Sequence, residues 1–192
     1  MSFVFDEKII YPKDPTADKK RIEQYKQYYK VKYDICKEQN PQKIAEIGVR
    51  AGYSAWTFLQ ACPKAKYIGI DANNGKDGGA GGQDGCYMKW TEEILKDYDC
   101  SFKIMDTQKQ PSLDLTDIDF FHVDGDHSEK GIQHDLDIVL PCMKNGGLIL
   151  VDDISYISSV GKGVTKWIDK NKEKIKYEYR KSLRGECLIW KI

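Results

Sequence analysis

The stretch Asp119-Phe120-Phe121-His122-Val123-Asp124-Gly125-Asp126-His127 decides how this chain folds and where its chemistry lies. An apolar strand runs directly into acidic and imidazole side chains. A second segment, Gly146-Gly147-Leu148-Ile149-Leu150-Val151-Asp152-Asp153, has the same design. Neighbouring parallel strands lie only ~4.8 Å apart, so acids at their ends would repel one another unless a cation or a ligand lay between them. We therefore predict a functional site at the ends of these two strands.

Strands and helices alternate on both sides of this stretch, which is typical of a doubly wound α/β fold. A helix over 16–39 ends at Asn40-Pro41. Residues 1–40 are therefore predicted to form an N-terminal helical extension, and residues 41–192 the main domain. The alternation predicts five strands at 43–48, 67–71, 102–106, 120–124 and 147–151, and helices at 54–61, 87–98, 128–143 and 161–172. The last two segments, 175–179 and 187–190, predict an antiparallel hairpin at one edge of a mostly parallel sheet.

Composition excludes several classes of partner. The chain has 192 residues, with 30 basic and 30 acidic side chains, so no overall field attracts nucleic acid. It contains no run of 18 apolar residues that would span a membrane, and its N-terminus does not resemble a signal peptide. We expect a cytoplasmic protein. Its lysines, including Lys19, Lys20 and Lys32, alternate with acids and aromatic residues and are interpreted as solvated helix faces. The six cysteines have no Cys-x-x-Cys pair and are expected to be reduced and packed.

The first strand leads into a glycine-containing turn, Glu46-Ile47-Gly48-Val49-Arg50-Ala51-Gly52-Tyr53-Ser54. Glycine lets the backbone turn sharply and approach a ligand, and Ser54 is expected to cap the next helix. The turn matches neither the Gly-x-Gly-x-x-Gly of NAD enzymes nor a P-loop. Asp71 ends the second strand about 20 residues later, where an acid typically accepts the ribose hydroxyls of a nucleotide. Together these features favour an adenosine-type ligand.

In the order of these motifs the chain resembles a class I S-adenosylmethionine-dependent methyltransferase, a Rossmann-like fold with a seven-stranded sheet and an antiparallel C-terminal hairpin. Within that class, Val123-Asp124-Gly125-Asp126-His127 and Val151-Asp152-Asp153 resemble the small sugar-type O-methyltransferases grouped with the macrocin and mycinamicin enzymes. They are also similar to the catechol and caffeoyl-CoA O-methyltransferases, whose matching segments are Val-Asp-Ala-Asp-Lys and Asp-Asn. The resemblance covers about residues 43–192.

The resemblance implies a role for each matching residue. The turn after the first strand would bind the methionine end of S-adenosylmethionine through Glu46, Gly48, Gly52 and Ser54. Asp71 would bind the ribose, and Asp106 with Thr107 would lie near the adenine. Asp124 would also belong to the cofactor site.

The resemblance also implies a metal site and a general base. Asp124, Asp152 and Asp153 would bind a divalent cation, and oxygen ligands suit Mg²⁺, Mn²⁺ or Ca²⁺ better than zinc. The catechol-type enzymes have Asp-Asn where this chain has Asp152-Asp153, so the assignment of the second acid stays open. His127 lies where those enzymes have a lysine that acts as general base.

Simpler structural roles remain open for the same side chains. Asp124 could end its strand in a turn, Asp152-Asp153 could cap a following helix, and His127 could cap the helix over 128–143. His122, inside its strand, is interpreted as a core histidine. The loop at 73–90, which is glycine-rich over 75–85, is expected to be poorly ordered without a ligand and to close over the cofactor or the acceptor as a lid.

The sequence therefore predicts an S-adenosylmethionine-dependent, metal-assisted O-methyltransferase. Its acceptor would be a small hydroxylated molecule, most simply a sugar or a sugar-bearing metabolite. Two alternatives stay open: a metal-independent methyltransferase acting on nitrogen or RNA, and a non-catalytic nucleotide-binding module. No nucleic acid or membrane partner is expected, and a homo-oligomer is left open.

Overall fold

The computed structural model describes residues 3–74 and 86–192. The glycine-rich part of the predicted lid at 73–90, residues 75–85, lies outside the described residues, and residues 86–90 are helical. Seven strands and five helices alternate along the described chain: α1 Lys19–Gln39, β1 Lys43–Ile47, α2 Tyr53–Ala61, β2 Lys66–Asp71, α3 Cys86–Ile94, β3 Cys100–Ile104, β4 Ile118–Val123, α4 Glu129–Val139, β5 Met143–Val151, α5 Ser158–Asn171, β6 Ile175–Arg180 and β7 Glu186–Lys191.

The strands form one sheet in the order β3-β2-β1-β4-β5-β7-β6. The first five pair in parallel, whereas β7 pairs antiparallel to both β5 and β6. This is the doubly wound α/β architecture with an antiparallel C-terminal hairpin that the sequence predicts. The order reverses between β1 and β4, and in such sheets ligands bind outside the carboxyl ends of the strands at that point.

The central strands are buried because helices cover both faces of the sheet. All six residues of β4 are buried, as expected for an apolar strand at the centre of a parallel sheet. One apolar cluster joins α4 and α5 to one face. The other joins α1, α2 and Phe5 of the N-terminal segment to the opposite face. Residues 3–40 therefore share a core with the strands that follow them.

Several element boundaries differ from those predicted, and three elements end two or more residues early. β3 ends at Ile104, because Asp106 caps a short 3-10 turn at Thr107–Lys109 and accepts the backbone N–H of Gln108. α4 ends at Val139, because Pro141 lacks an N–H and the chain continues as a 3-10 turn at Leu140–Cys142. α3 ends at Ile94, four residues before the predicted end.

α1 carries a buried stripe of tyrosines that also contains a lysine. The helix begins after Asp18, whose side chain accepts the backbone N–H of Arg21, and it ends at Asn40 in a left-handed conformation. Lys32 lies in the stripe, ten residues after Ile22, and its side chain is 0% exposed. The interpretation of Lys32 as part of a solvated helix face was therefore wrong. Its ammonium points into the molecule, toward the acids that follow β5.

No helix within the described ranges is long and apolar enough to cross a membrane. The described cysteines are all free thiols, as predicted.

Candidate active site

A cleft of about 490 Å³ opens at the carboxyl ends of the parallel strands, and we refer to it as the main cleft. It lies where the strand order reverses, and its volume is within the range of small-molecule and cofactor sites. Its walls come from the β1–α2 turn, from the ends of β2, β4 and β5, from the segment after β3, from α1 and from the β6–β7 turn.

The strand ends are in register, which brings the predicted site residues together. Ile47 of β1 pairs with Val123 of β4, and Val123 pairs with Val151 of β5. The residues that follow these strands, Gly48, Asp124 and Asp152, therefore lie side by side. This is the acidic site that the two sequence motifs predict.

The glycines of the β1–α2 turn are required by close packing. Gly48 has a φ of 87°, and a Cβ there would lie 1.9 Å from the carbonyl oxygen of Asp124. Gly48 lines the main cleft. Gly52 has a φ of 77°, and a Cβ there would lie 2.7 Å from a side-chain carbon of Thr91. Among the described residues Gly52 does not line the cleft, so its role is to let α2 pack against α3.

Ser54 does not cap α2. The cap position is Gly52, which has no side chain to bond. Ser54 lies two residues further on, in the first turn of α2, and its hydroxyl donates to the Glu46 carboxylate. Glu46 is 0% exposed and also accepts from the hydroxyl of Tyr67. Glu46 is therefore behind the wall of the cleft, and Ser54 is the one of the pair that faces it.

Asp71, the last residue of β2, faces the cleft with a fixed carboxylate. One oxygen accepts the backbone N–H of Arg50 at 2.8 Å and the other accepts that of Asn73 at 2.6 Å. Each oxygen keeps a further lone pair, so the carboxylate can accept two hydroxyl groups from a ligand. This is the geometry required of a ribose-binding acid.

Asp106 and Thr107 line the same cleft, next to the end of β3. Lys109 forms an ion pair with Asp106 and, by its hydrogen bond, lowers the pKa of that carboxyl. Thr107 donates its hydroxyl to the buried carboxylate of Asp135 at 2.7 Å. The hydroxyl of Thr107 is therefore already bonded within the protein.

Asp124, His127 and Asp153 form a group that lines the main cleft, and we call it the cleft group. Nε2 of His127 donates to Oδ1 of Asp124 at 3.0 Å, because an ionised carboxylate can only accept. That bond leaves Nδ1 as the ring nitrogen that can take up a proton. Ser128, not His127, caps α4 through a hydrogen bond from the backbone N–H of Gly131. The capping alternative for His127 was therefore wrong.

The environments of these side chains drive their pKa values apart. Burial opposes ionisation of Asp124, but the hydrogen bond from His127 and the nearby charges lower its pKa to about 2. The same hydrogen bond raises the pKa of His127, although burial works against it. Burial, followed by the charges of Asp152 and Asp124, raises the pKa of Asp153 to about 6. An ionised acid thus lies beside an imidazole whose pKa is raised and a carboxyl whose pKa is about 6, and perturbed pKa values of this kind are frequent at catalytic sites.

A second set of charged groups lies behind the cleft, and we call it the buried ionic chain: Glu46, His122, Lys32 and Asp152. Lys32 donates to Oδ2 of Asp152 at 2.7 Å and to Nε2 of His122 at 2.8 Å. His122 in turn donates from Nδ1 to Glu46 at 2.7 Å. All four side chains are 0% exposed. The prediction that His122 is a satisfied core histidine is confirmed.

Asp152 connects the two groups. Its Oδ2 also accepts from the hydroxyl of Tyr28, a residue that lines the main cleft. Its Oδ1 is buried and has no hydrogen-bond partner among the described residues. An unpaired carboxylate oxygen is costly inside a protein, and a cation is one partner that would remove the cost.

Two overlapping sets of side chains within the described ranges can hold a metal ion: His122, Asp124 and Asp152, and Asp124, His127 and Asp153. In each set the ligand atoms lie within 4.8 Å of one another. Both sets contain Asp124. The carboxylate oxygens, together with the free Oδ1 of Asp152, are hard ligands that fit Mg²⁺, Mn²⁺ or Ca²⁺.

The backbone at the cleft is strained in three places. Arg50, Asn73 and Asp153 have positive φ values of 47°, 50° and 58°, and all three line the main cleft. Residues other than glycine adopt this conformation at a cost, and such residues cluster at functional sites. Asp153 lines the main cleft, whereas its neighbour Asp152 does not.

Several cleft residues were missed in the sequence. Tyr28 and Arg21 of α1 line the cleft, and so does Arg184 from the β6–β7 turn. Nη1 of Arg184 lies 3.3 Å from Oδ1 of Asp153, and its guanidinium lies 4.6 Å from the centre of the Tyr28 ring. The helical spacing of the tyrosines indicated a core stripe, and only the presence of Lys32 in that stripe marked it as unusual.

Comparison with protein-family models gives one match. The model, described as a methyltransferase domain, matches residues 45–154, which is more than half of the chain and includes both acidic motifs. No curated protein matches the sequence.

Solved structures of low sequence identity have the same fold. The S-adenosylhomocysteine-bound methyltransferase PaMTH1 from Podospora anserina is 16% identical with a TM-score of 0.66, and the match covers 86% of this chain and 78% of that one. The O-methyltransferase TomG from Streptomyces achromogenes, in complex with S-adenosylmethionine, is 13% identical with a TM-score of 0.64 and coverages of 85% and 79%. The O-methyltransferase from Bacillus cereus, in complex with S-adenosylhomocysteine, is 11% identical with a TM-score of 0.65 and coverages of 86% and 80%.

Proposed function

The chain belongs to the methyltransferase-domain family, and from this premise we propose that it transfers a methyl group from S-adenosylmethionine to a hydroxyl oxygen of a small acceptor. The observation that carries the proposal is the Asp124–His127 pair on the wall of the main cleft. A hydroxyl must lose its proton to become a good nucleophile, and this pair is built to accept one.

The donor site supports the proposal. S-adenosylmethionine supplies an activated methyl group, and the structures of PaMTH1, TomG and the Bacillus cereus enzyme contain it or its product. In this chain we place the ribose at Asp71, whose carboxylate is held by two backbone N–H groups. The methionine end would lie at Gly48 and Ser54, and the adenine beside Asp106 and Thr107. Glu46 would act from behind the wall by holding Ser54 in place.

The base is His127. Asp124 accepts its Nε2–H, which fixes the ring and leaves Nδ1 free to receive the acceptor's proton. The pKa of His127 is raised by Asp124, so the ring holds the proton readily once it has received it. The cleft walls exclude water and align the hydroxyl with the methyl group for in-line transfer.

We propose that a divalent cation, Mg²⁺ or else Mn²⁺ or Ca²⁺, assists the reaction. The residues that would hold it are Asp124, Asp153 and Asp152, the last through its free Oδ1. When bound, such a cation lowers the pKa of a hydroxyl group. Lys32 pairs with Asp152 and Arg184 pairs with Asp153, so the three carboxylates keep only part of their negative charge for a cation.

The acceptor that we propose is a sugar or a sugar-bearing metabolite. The motifs at Asp124–His127 and Asp152-Asp153 resemble the sugar-type enzymes, and the cleft wall next to them is lined by tyrosine rings, which stack against sugars as well as against aromatic acceptors. A metal-independent methyltransferase acting on nitrogen or RNA is the second candidate. It is favoured by Lys32, which supplies a positive charge at the acids without a metal. A non-catalytic nucleotide-binding module is the third.

One experiment separates these candidates. The protein is incubated with S-adenosylmethionine labelled in its methyl group and with panels of sugars, nucleotide sugars and catechols, with Mg²⁺ and with EDTA. Methyl transfer to a hydroxyl that needs Mg²⁺ supports the full proposal. Transfer that is equal in EDTA supports the metal-independent candidate, and binding of S-adenosylhomocysteine without any transfer supports the non-catalytic module.

A further inference from the structure

A second cleft of about 400 Å³ adjoins the main cleft, and we call it the rim cleft. Arg21, Tyr156 and Arg184 line both clefts. The remaining walls of the rim cleft are Asp18, Lys20, Gln24 and Leu183. Because the two clefts share three side chains, a molecule longer than one ring can extend from the first into the second.

The rim cleft contains two positive charges without partners. Among the described residues, neither Lys20 nor Arg21 has a side-chain hydrogen bond or an ion pair. The acid beside them, Asp18, already accepts the backbone N–H of Arg21 at 2.8 Å as the cap of α1. A positive surface that is not neutralised from within is a natural site for an anion.

Apolar surface lies next to these charges. Tyr156 is 61% exposed and Leu183 is 51% exposed, which makes them two of the most exposed large apolar residues in the described part of the chain. Both line the rim cleft. The guanidinium of Arg184, in contrast, already has partners within the protein. It lies over the rings of Tyr28 and Tyr156 and pairs with Asp153. Arg184 therefore lies where the two clefts meet, and Lys20 and Arg21 are the basic side chains of the rim cleft that can bind a ligand.

We propose that the acceptor carries an anionic group, a phosphate or a carboxylate, which binds to Lys20 and Arg21 while the hydroxyl to be methylated lies at Asp124 and His127. This inference rests on the proposed function and narrows it to anionic acceptors. The body of the acceptor packs on Tyr156 and Leu183. The planar fork of Arg21 favours a group with several oxygens, which both phosphate and carboxylate provide.

The test uses the whole protein, first alone and then saturated with S-adenosylhomocysteine. Four probes are titrated by calorimetry: glucose, glucuronate, glucose 6-phosphate and inorganic phosphate. The three sugars share a ring and differ in charge, so they separate the anion from the body that carries it. We expect the better of the two anionic sugars to bind about tenfold or more tightly than glucose, since a hydrogen bond to a charged group is stronger than one between neutral groups. Whether glucuronate or glucose 6-phosphate is favoured identifies the group.

Two variants and a matched control locate the binding. Arg21→Gln and Lys20→Gln together should bring the anionic sugars to the affinity of glucose. Lys19→Gln removes one positive charge in the same turn of α1, as each of the two substitutions does singly, but Lys19 lines neither cleft, so this variant should bind the anionic sugars as wild type does. The three residues lie on the surface, and thermal melting should confirm that the fold is intact.

Three results would overturn the inference: glucose binding as tightly as its anionic relatives, equal losses in Lys19→Gln and in the double variant, or no binding of any anionic probe. Failure of the proposed function gives a different result. In that case S-adenosylhomocysteine would not bind, while inorganic phosphate, titrated into the protein alone, would still report on Lys20 and Arg21.

Discussion

Two groups of acidic and imidazole side chains lie at the ends of the same strands, and they differ in what they can reach. The cleft group faces the main cleft with an acid, an imidazole and a second acid. The buried ionic chain has the same kinds of side chain and adds a lysine, but none of it is exposed. β4 is connected to both groups. His122 lies within the strand and belongs to the buried ionic chain, and His127 follows the strand and belongs to the cleft group.

The difference shows what burial requires of a charge. A buried ion is stable only when it is paired and hydrogen-bonded. The members of the buried ionic chain bond to one another and to the hydroxyl groups of Tyr28, Ser54 and Tyr67. The cleft group is less complete. Asp153 lies beside two other carboxylates, and burial together with their charge raises its pKa to about 6. The buried ionic chain therefore holds the strand ends in place, with Oδ1 of Asp152 as its unpaired atom, and the cleft group carries the titratable side chains that a reaction in the cleft can use.

The two histidines give the largest expected difference. His127→Ala should lower the turnover rate by a factor of ~10²–10⁴, the usual contribution of a general base, and leave the melting temperature nearly unchanged. His122→Ala should have the opposite pattern, because it leaves Glu46 and Lys32 with fewer partners in the core. Steady-state rates and thermal melting of both variants test this. Wild-type turnover in His127→Ala would remove the residue from the mechanism and make Asp153 the candidate base.

Removal of the buried ammonium should give the next largest effect. Lys32→Met keeps the length of the side chain but leaves Asp152 buried with fewer partners, and breaking a buried pair in this way costs about 3–5 kcal/mol of unfolding free energy. The control is Lys30→Met on the same helix, whose ion pair with Asp34 is half exposed and should contribute less than about 1 kcal/mol. Urea unfolding measures both. Equal losses in the two variants would show that the buried ionic chain does not stabilise the fold.

Lys32 also shows where sequence reasoning reached its limit. The strands, the hairpin and the meeting of the acids were predictable, because apolar runs fix the sheet and parallel strands bring their ends to one edge. The spacing of Lys32 places it on the same face of α1 as the buried tyrosines, which indicates burial. Lysines usually lie on solvated faces, and the interpretation followed that expectation instead.

Other parts of the cleft could not be predicted at all. Arg184 reaches Asp153 only because the β6–β7 turn folds back over the strand ends, and that path depends on tertiary packing. Gly52 was predicted as a cofactor residue, but its contact with Thr91 joins two helices that are far apart in sequence. A pattern in one segment carries no signal for a partner in another.

A cleft-facing acid should affect ligand binding directly, in contrast to the acids of the buried ionic chain. Asp71→Ala removes the carboxylate that we place at the ribose, and leaving ribose hydroxyls unpaired should weaken the binding of S-adenosylhomocysteine by about 1–3 kcal/mol. Calorimetry of the variant and of wild type measures it, and Asp106→Ala serves as a comparison at the adenine end. Tight binding of NAD with no binding of S-adenosylhomocysteine would contradict the assignment of the cofactor.

The smallest effect tests the rule that a buried carboxylate needs a cation to stay ionised. Asp135 is 0% exposed, like the acids of the buried ionic chain, but its hydrogen bonds come from the neutral side chains of Thr107 and Gln108. Burial raises its pKa to about 6, above the ordinary value of 3.8. The folded state therefore takes up a proton near pH 6 that the unfolded chain does not take up until near pH 4. Stability contributed by Asp135 should rise as the pH falls through 6 and should level off below 4.

Asp135→Asn cannot titrate, so the difference in unfolding free energy between variant and wild type should change by about 1–2 kcal/mol between pH 7 and pH 4.5, with the variant favoured more at pH 7. Urea unfolding at a series of pH values measures this difference, and the comparison cancels the titration of other groups such as Asp153. A difference that stays constant with pH would mean that Asp135 remains ionised without a cation, and the contrast between it and Asp152 would then lose its physical basis.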